Sequence, residues 1–95
     1  MTEWYLYLIR CNNGHLYTGI ATDVARRLKE HQGEGNLGAK YLRGKGPLTI
    51  VFQQKIGSRS LASQVERKIK KLTRTKKELL IQENTQIEEL IQLVK

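Results

Sequence analysis

Residues 3–20 read EWYLYLIRCNNGHLYTGI, two apolar segments on either side of a turn signal. In the first segment, Glu3–Arg10, apolar side chains occupy both alternating sets of positions, as expected for a strand that is buried on both faces. Residues 12–14, Asn-Asn-Gly, favour a tight turn, and His15–Ile20 has the length and composition of a second short strand. The pattern predicts a β-hairpin whose first strand is central in a sheet.

The length of the hairpin loop determines which side chains share a face of the sheet. A two-residue loop at residues 13–14 sends Tyr7 and Tyr17 to opposite faces. A three-residue loop, with Gly14 in a left-handed bulge position, pairs Tyr7 with Gly19 and places both tyrosines on one face as diagonal neighbours. The residues around the turn favour the second geometry, and the first remains an alternative.

The rest of the chain alternates helical and extended patterns. A short helix ends at His31, which falls on its apolar stripe, residues 48–56 form a third strand, and amphipathic helical segments follow. The expected helix caps are Thr22 or Asp23, Ser60, Thr75 with Glu78, and Thr85 with Glu88. The order β-β-α-β-α-α and a C-terminal amphipathic helix predict an α+β fold. Residues 1–82 are predicted to form one domain, and residues 83–95 a helix that packs on this domain or on a partner.

Composition excludes several classes of protein. The 95 residues suffice for one domain, and no apolar run reaches the roughly 18 residues that a membrane span requires. The N-terminal residues lack the pattern of a signal peptide, so we expect a cytoplasmic protein without a membrane partner. A single cysteine, Cys11, cannot form an internal disulfide or a cysteine-based zinc site.

Positive charge is concentrated in the middle of the chain. Residues 34–77 carry twelve Lys/Arg and only two Asp/Glu. Such a tract attracts polyanions through its field and through counterion release, although a solvated basic surface without a partner is the plainer interpretation. The residues expected to bind nucleic acid are Lys40, Arg43, Lys45, Arg59, Arg67, Lys70, Lys71 and Arg74.

Glu66 is the residue in this tract that most requires an explanation. Its spacing allows an ordinary i, i+4 ion pair with Lys70. A carboxylate on a phosphate-binding surface can also hold a divalent cation, because Mg²⁺ accepts one carboxylate together with waters and a phosphate oxygen. Nearby tyrosines could then position or activate water, and Arg27 could stabilise the charge of a phosphoryl transition state.

Several short motifs together resemble one known family. They are Tyr5-Leu6-Tyr7, Tyr17-Thr18-Gly19 ten residues later, Arg27-Leu28 with His31, and Glu66 on a helix after the third strand. Their order and spacing resemble the GIY-YIG nuclease domain over roughly residues 3–80, and most of all the small stand-alone bacterial members. Three residues depart from the family pattern, since Tyr5-Leu6 stand where the name-giving motif has Gly-Ile, and Ile20 stands where several active nucleases carry lysine.

The resemblance implies a three-stranded antiparallel sheet flanked by helices and a nuclease that cleaves DNA phosphodiester bonds with Mg²⁺, or Mn²⁺ as a substitute. It implies that Tyr7 and Tyr17 line the catalytic face, one of them as general base, and that Gly19 is the motif glycine. Arg27 would contact the reacting phosphate and Glu66 the metal ion. His31 matches a histidine that joins the active site in a subset of members.

The expected partner is DNA, including branched or damaged DNA in repair or recombination, with RNA as an open alternative. A different hypothesis is a binding module that has this fold but little or no turnover, which Ile20 and the small size favour. A third hypothesis gives the acidic C-terminal helix a protein partner or a second copy of the chain.

Overall fold

The computed structural model describes residues 2–32, 42 and 46–94. Its elements are β1 (Trp4–Arg10), β2 (Leu16–Ala21), α1 (Val24–His31), β3 (Thr49–Gly57), α2 (Arg59–Lys70), α3 (Arg74–Glu83) and α4 (Ile87–Gln92). The strands form one antiparallel sheet in the order β2-β1-β3, with helices packed against it. The α+β fold with a small three-stranded sheet is therefore confirmed, and β1 is its central strand.

The hairpin between β1 and β2 follows the three-residue loop geometry. Tyr7 lies opposite Gly19, and Ile9 lies opposite Tyr17. Gly14 has a φ of +84°, the left-handed region that glycine enters without steric cost, and its N–H donates to the carbonyl of Cys11. This register places Tyr7 and Tyr17 on the same face of the sheet.

Each face of the sheet carries its own apolar cluster, because successive residues of a strand point to opposite sides. On one face, Leu6 and Leu8 of β1 pack in a cluster with Val65 and Ile69 of α2 and Leu90 of α4. On the other, Tyr7 and Ile9 belong to a cluster that also contains Val24 of α1 and the isolated described residue Leu42. The continuous apolar run of β1 serves both clusters.

The helix caps differ from the expected ones at three of four positions. Asp23 caps α1 as predicted, and its carboxylate accepts from the backbone N–H of Arg26 at 3.0 Å. Ser58 caps α2 in place of Ser60, and Thr73 caps α3 in place of Thr75. In both cases the residue two positions earlier has the extended backbone of a cap, and the expected residue lies inside the helix.

The predicted cap of the last helix, Thr85 with Glu88, is also wrong. Thr85 is buried, and its N–H donates to the carbonyl of Leu80, so its backbone closes α3. Asn84 between the two helices has a left-handed backbone, with φ of 48°, which is typical of a helix C-terminus. Helix α4 begins after Gln86 without a side-chain cap.

Helix α4 packs on the body of the protein through Leu90, which has no exposed surface. The division into residues 1–82 and 83–95 and a partner for the C-terminal helix stay predictions. Among the described helices, none has the length and hydrophobicity that crossing a lipid bilayer requires.

Candidate active site

A hydrogen bond between Tyr7 and His31 is the centre of the candidate site. The Tyr7 hydroxyl oxygen lies 2.8 Å from Nε2 of His31, and both residues are buried. Strand β1 supplies the tyrosine and the last turn of α1 supplies the histidine. His31 reaches the sheet because it continues the face of α1 on which Val24 is buried, as the helical spacing predicts.

Gly19 provides the space in which the Tyr7 ring lies. A Cβ atom built on Gly19 would lie only 2.5 Å from Cζ of Tyr7, closer than any side chain tolerates. Glycine is therefore needed at this motif position for a steric reason, because Gly19 lies directly opposite Tyr7 in the β1–β2 pairing.

Tyr17 joins the pair from β2. Its ring meets the His31 ring edge-on, with centroids 5.4 Å apart and planes at 71°, while the Tyr7 and His31 centroids are 6.1 Å apart. Tyr17 is half-buried, and Tyr7 retains only 2% of its surface. His31 thus contacts both tyrosines, and Tyr17 is the tyrosine more accessible to a ligand.

Arg27 lies one helical turn before His31 and faces the same cluster. Its Nη1 donates to Oε1 of Glu30 at 2.7 Å, and it interacts with the Tyr7 hydroxyl. Glu30 also approaches Nε of Arg26 at 3.4 Å. The Arg27 guanidinium is therefore oriented by a carboxylate on its own helix while it stays close to the tyrosine.

Burial controls the protonation of the Tyr7–His31 pair. It raises the pKa of Tyr7 to about 12, with the neighbouring Tyr17 acting in the same direction and Arg27 opposing. It lowers the pKa of His31 to about 4, and the positive charge of Arg27 adds to this effect. At neutral pH the histidine is neutral and the tyrosine is a phenol, and the tautomer of the ring determines which of the two donates in this hydrogen bond.

Glu66 is on α2, and its side chain is 19% exposed. Oε2 lies 3.5 Å from Nζ of Lys70, so the ion pair that the i, i+4 spacing allows is present. The negative charge of Glu66 contributes to the raised pKa of Tyr7, which places the carboxylate within electrostatic range of the tyrosine cluster. The structure thus brings together Tyr7, Tyr17, Arg27, His31 and Glu66.

The donor set around Glu66 limits what kind of metal ion it could hold. In residues 2–32, 42 and 46–94, no three His, Cys, Asp or Glu side chains gather as a metal-binding group. One carboxylate fits a hard cation such as Mg²⁺ or Mn²⁺ that takes its other ligands from water and a substrate phosphate. The Lys70 ion pair involves Oε2 of Glu66, so an ion bound at Oε1 is compatible with it.

The expected nucleic-acid-binding residues are in several different environments. Arg67 and Lys71 are exposed, whereas the Arg59 guanidinium lies 5.4 Å from the centre of the Trp4 ring. Lys70 pairs with Glu66, and Arg74 donates to the carbonyl of Gly14 at 3.1 Å. Lys40, Arg43 and Lys45 lie outside the described residues.

Glu30 is a residue of the candidate site that sequence reasoning missed. Its contact with Arg27 orients the guanidinium that the site uses, and the contact is visible as an i, i+3 spacing. A second unforeseen contact, between Arg10 and Glu78, joins β1 to α3 with two hydrogen bonds of 2.8 and 2.7 Å. The two partners are 68 positions apart in the chain, so no sequence signal pointed to the second contact.

Comparison with known proteins identifies the family. Residues 3–79 match the model of the GIY-YIG catalytic domain. A UPF0213 protein of Citrobacter koseri is 55% identical over 91 residues, which cover 96% of this chain and 89% of that protein. The UPF0213 protein YhbQ of Salmonella arizonae is 54% identical over the same lengths.

Two structures determined by solution NMR have the same fold. The UPF0213 protein BH0048 of Bacillus halodurans is 41% identical with a TM-score of 0.54, covering 84% of this chain and 83% of that one. Protein EF2693 of E. faecalis is 36% identical with a TM-score of 0.60, covering 86% and 85%. On the match of residues 3–79 and on these relatives, the chain belongs to the GIY-YIG catalytic domain family.

Proposed function

We propose that this protein is a divalent-metal-dependent endonuclease that hydrolyses DNA phosphodiester bonds in repair or recombination. The GIY-YIG family generally consists of nucleases, and a nucleic-acid substrate follows from that membership. The observation that carries the proposal is the Tyr7–His31 hydrogen bond of 2.8 Å, with Tyr17, Arg27 and Glu66 gathered around it.

Tyr17 and the Tyr7–His31 pair have different parts in this proposal. Because Tyr17 is the more exposed tyrosine, it is our choice for the group that contacts the attacking water. The Tyr7 oxygen accepts a hydrogen bond from Arg27 and shares another with Nε2 of neutral His31. These two hydrogen bonds hold Tyr7 in place beside Tyr17, and Tyr7 remains a phenol at neutral pH.

Arg27 would stabilise the negative charge that develops on the phosphate. Its guanidinium is held by Glu30, so little reorganisation is needed when the substrate binds. Glu66 would hold Mg²⁺ or Mn²⁺, which supplies positive charge for the phosphate oxygens. Exposed cations of α2 and its C-terminus, among them Arg67 and Lys71, would bind the backbone of the nucleic acid.

Strand cleavage by the wild type and by Glu66→Gln tests the proposal. Labelled duplex, nicked, flap, junction and single-stranded DNA, with RNA as a comparison, are incubated with Mg²⁺, Mn²⁺ or EDTA. We expect metal-dependent cleavage that Glu66→Gln reduces by roughly 100-fold or more, as removal of a group that stabilises transition-state charge does. Glu88→Gln, a change of the same type at an exposed position of α4, should cleave like the wild type. Equal rates for Glu66→Gln and the wild type would refute the role of Glu66.

A binding module with little or no turnover is the second candidate. The Lys70–Glu66 ion pair favours it, because the carboxylate already has a cationic partner without a metal ion. This candidate requires tight, salt-sensitive binding that neither EDTA nor Glu66→Gln changes. Cleavage that disappears in Glu66→Gln would exclude it.

A further inference from the structure

A groove lies at the outer edge of the sheet, beside the candidate active site. Its volume is about 250 Å³, and it is formed where β2, an edge strand, meets α1. The residues that give it its chemical character are Trp4, Ile20, Asp23, Arg26, Arg27 and Glu30. Pockets that enclose a drug-sized ligand measure roughly 300–1,000 Å³, so this groove suits a single flat group.

Arg27 connects the groove with the tyrosine cluster. Arg27 lines the groove, and its side chain also interacts with the Tyr7 hydroxyl. A ligand in the groove would therefore lie directly beside the group that we assign to the phosphate. A sugar or base attached to that phosphate would be within reach of the groove.

The lining of the groove fits a nucleobase better than a second phosphate. Trp4 and Ile20 offer an aromatic and an aliphatic wall, which suit the faces of a flat ring. The carboxylates of Asp23 and Glu30 would repel a phosphate group, but they can accept hydrogen bonds from the N–H groups at the edge of a base. The Arg59 guanidinium, 5.4 Å from the centre of the Trp4 ring, is a further cation close to the aromatic wall.

We propose that this groove binds one unpaired nucleobase of the strand to be cut, stacked on Trp4, with the adjoining phosphate at Arg27. The inference rests on the proposed function, because that function supplies the nucleic-acid ligand. A base in a duplex has to leave its stack and its partner to enter the groove, at a cost of a few kcal/mol. The groove thus selects unpaired nucleotides.

Binding without cleavage is the direct test, and the protein carries its own reporter. Trp4 is the one tryptophan of the chain, so a base that stacks on it changes the intrinsic fluorescence. In EDTA, the full-length protein is titrated with a labelled single-stranded oligonucleotide and with an oligonucleotide of equal length whose central nucleotides lack bases. We expect the complete oligonucleotide to quench Trp4 and to bind about tenfold more tightly than the abasic one.

A substitution that fills the groove provides the second part of the test. Thr22 is exposed and lines the groove, while the neighbouring Asp23 keeps its capping hydrogen bond, so Thr22→Tyr occupies the space without removing a core side chain. Thr49→Tyr, at an exposed position of the opposite edge strand β3, is the matched control. The tenfold preference for bases should disappear in Thr22→Tyr and persist in Thr49→Tyr.

Equal affinity for complete and abasic oligonucleotides, or an unchanged preference in Thr22→Tyr, would overturn the groove proposal. These outcomes are independent of catalysis. If the protein prefers bases in EDTA but never cleaves, the groove proposal stands and the proposed nuclease activity is refuted. If it cleaves without any base preference, the nuclease proposal stands and the groove proposal is refuted. If it binds no nucleic acid, both proposals are refuted.

Discussion

At the scale of the residue, the arrangement of the candidate site depends on the backbone hydrogen bonds that pair β1 with β2. The sequence identified the tyrosines and Gly19 as candidate site residues. Their placement on one face of the sheet depends on a three-residue hairpin loop, which the sequence favoured while a two-residue loop remained an alternative. His31 was foreseen on the apolar stripe of its helix, whereas its hydrogen bond with Tyr7 was not, because 24 residues separate the two. Spacing along the chain predicts which residues share a face of a helix or strand. Contacts between two elements, by contrast, become visible only in the folded structure.

The buried His31 should make stability depend on pH in a defined window. Its pKa is about 4 in the folded protein and near 6.5 when unfolded, so the unfolded chain binds more protons between these values. The unfolding free energy is therefore fully retained above about pH 6.5 and falls as pH decreases toward 4, with about 2 kcal/mol of this loss between pH 7.5 and 5. Urea denaturation of the wild type and of His31→Gln at both pH values measures this loss.

The comparison depends on the difference between two pH values, so a general destabilisation by His31→Gln does not affect it. The variant should lose the part of the pH dependence that belongs to His31, while His15→Gln, at an exposed position of the hairpin, should keep it. Glu30 and Arg27 are the charged neighbours of the ring, and both variants retain them. An identical pH dependence in the wild type and in His31→Gln would show that the imidazole is not desolvated in the folded protein.

At the scale of the element, the sequence predicted the existence and order of strands and helices but misplaced several helix starts. The capping patterns at Ser60 and Thr75 are consistent with a helix start, yet each helix begins two residues earlier. For α2 the reason is visible in β3, which extends to Gly57 with a φ of +127°, so that Ser58 is the first residue able to cap. Where two nearby residues could cap a helix equally well, the end of the preceding element determines which of them does so.

Two threonines of α3 allow this point to be tested within one helix. The Thr73 hydroxyl accepts from the N–H of Lys76 at 3.2 Å, while Thr75 is exposed inside the first turn. Thr73→Ala should therefore lower the unfolding free energy by about 1 kcal/mol, and Thr75→Ala should change it by no more than about 0.5 kcal/mol. Thermal or urea denaturation of the two variants gives the comparison, and a larger cost at Thr75 would place the helix start where the sequence pattern alone put it.

At the scale of the whole molecule, the basic charge of the middle of the chain was easier to predict from the sequence than the contacts of its individual cations. A basic tract is a property of composition, so it survives whatever the fold does with individual side chains. All four of Arg67, Lys70, Lys71 and Arg74 are exposed, but the fold gives them different contacts. Lys70 is paired with Glu66, and Arg74 contacts Gly14 and Glu78. The i, i+4 spacing allowed the pair of Lys70 with Glu66 to be expected from the sequence, whereas the contact of Arg74 with the carbonyl of Gly14 depends on the fold, because the two residues are 60 positions apart.

The salt dependence of DNA binding should follow this difference in contacts. If Arg67 and Lys71 each neutralise one phosphate, Arg67→Gln and Lys71→Gln should each reduce the slope of log Kd against log salt concentration by about 1. Arg67→Lys and Lys71→Arg preserve the charge and should leave the slope unchanged, which separates charge from side-chain packing. Titrations in EDTA over a series of salt concentrations supply the slopes without cleavage. Wild-type slopes in both glutamine variants would mean that the nucleic acid contacts another surface, and the basic C-terminal half of α2 would then be a solvated face.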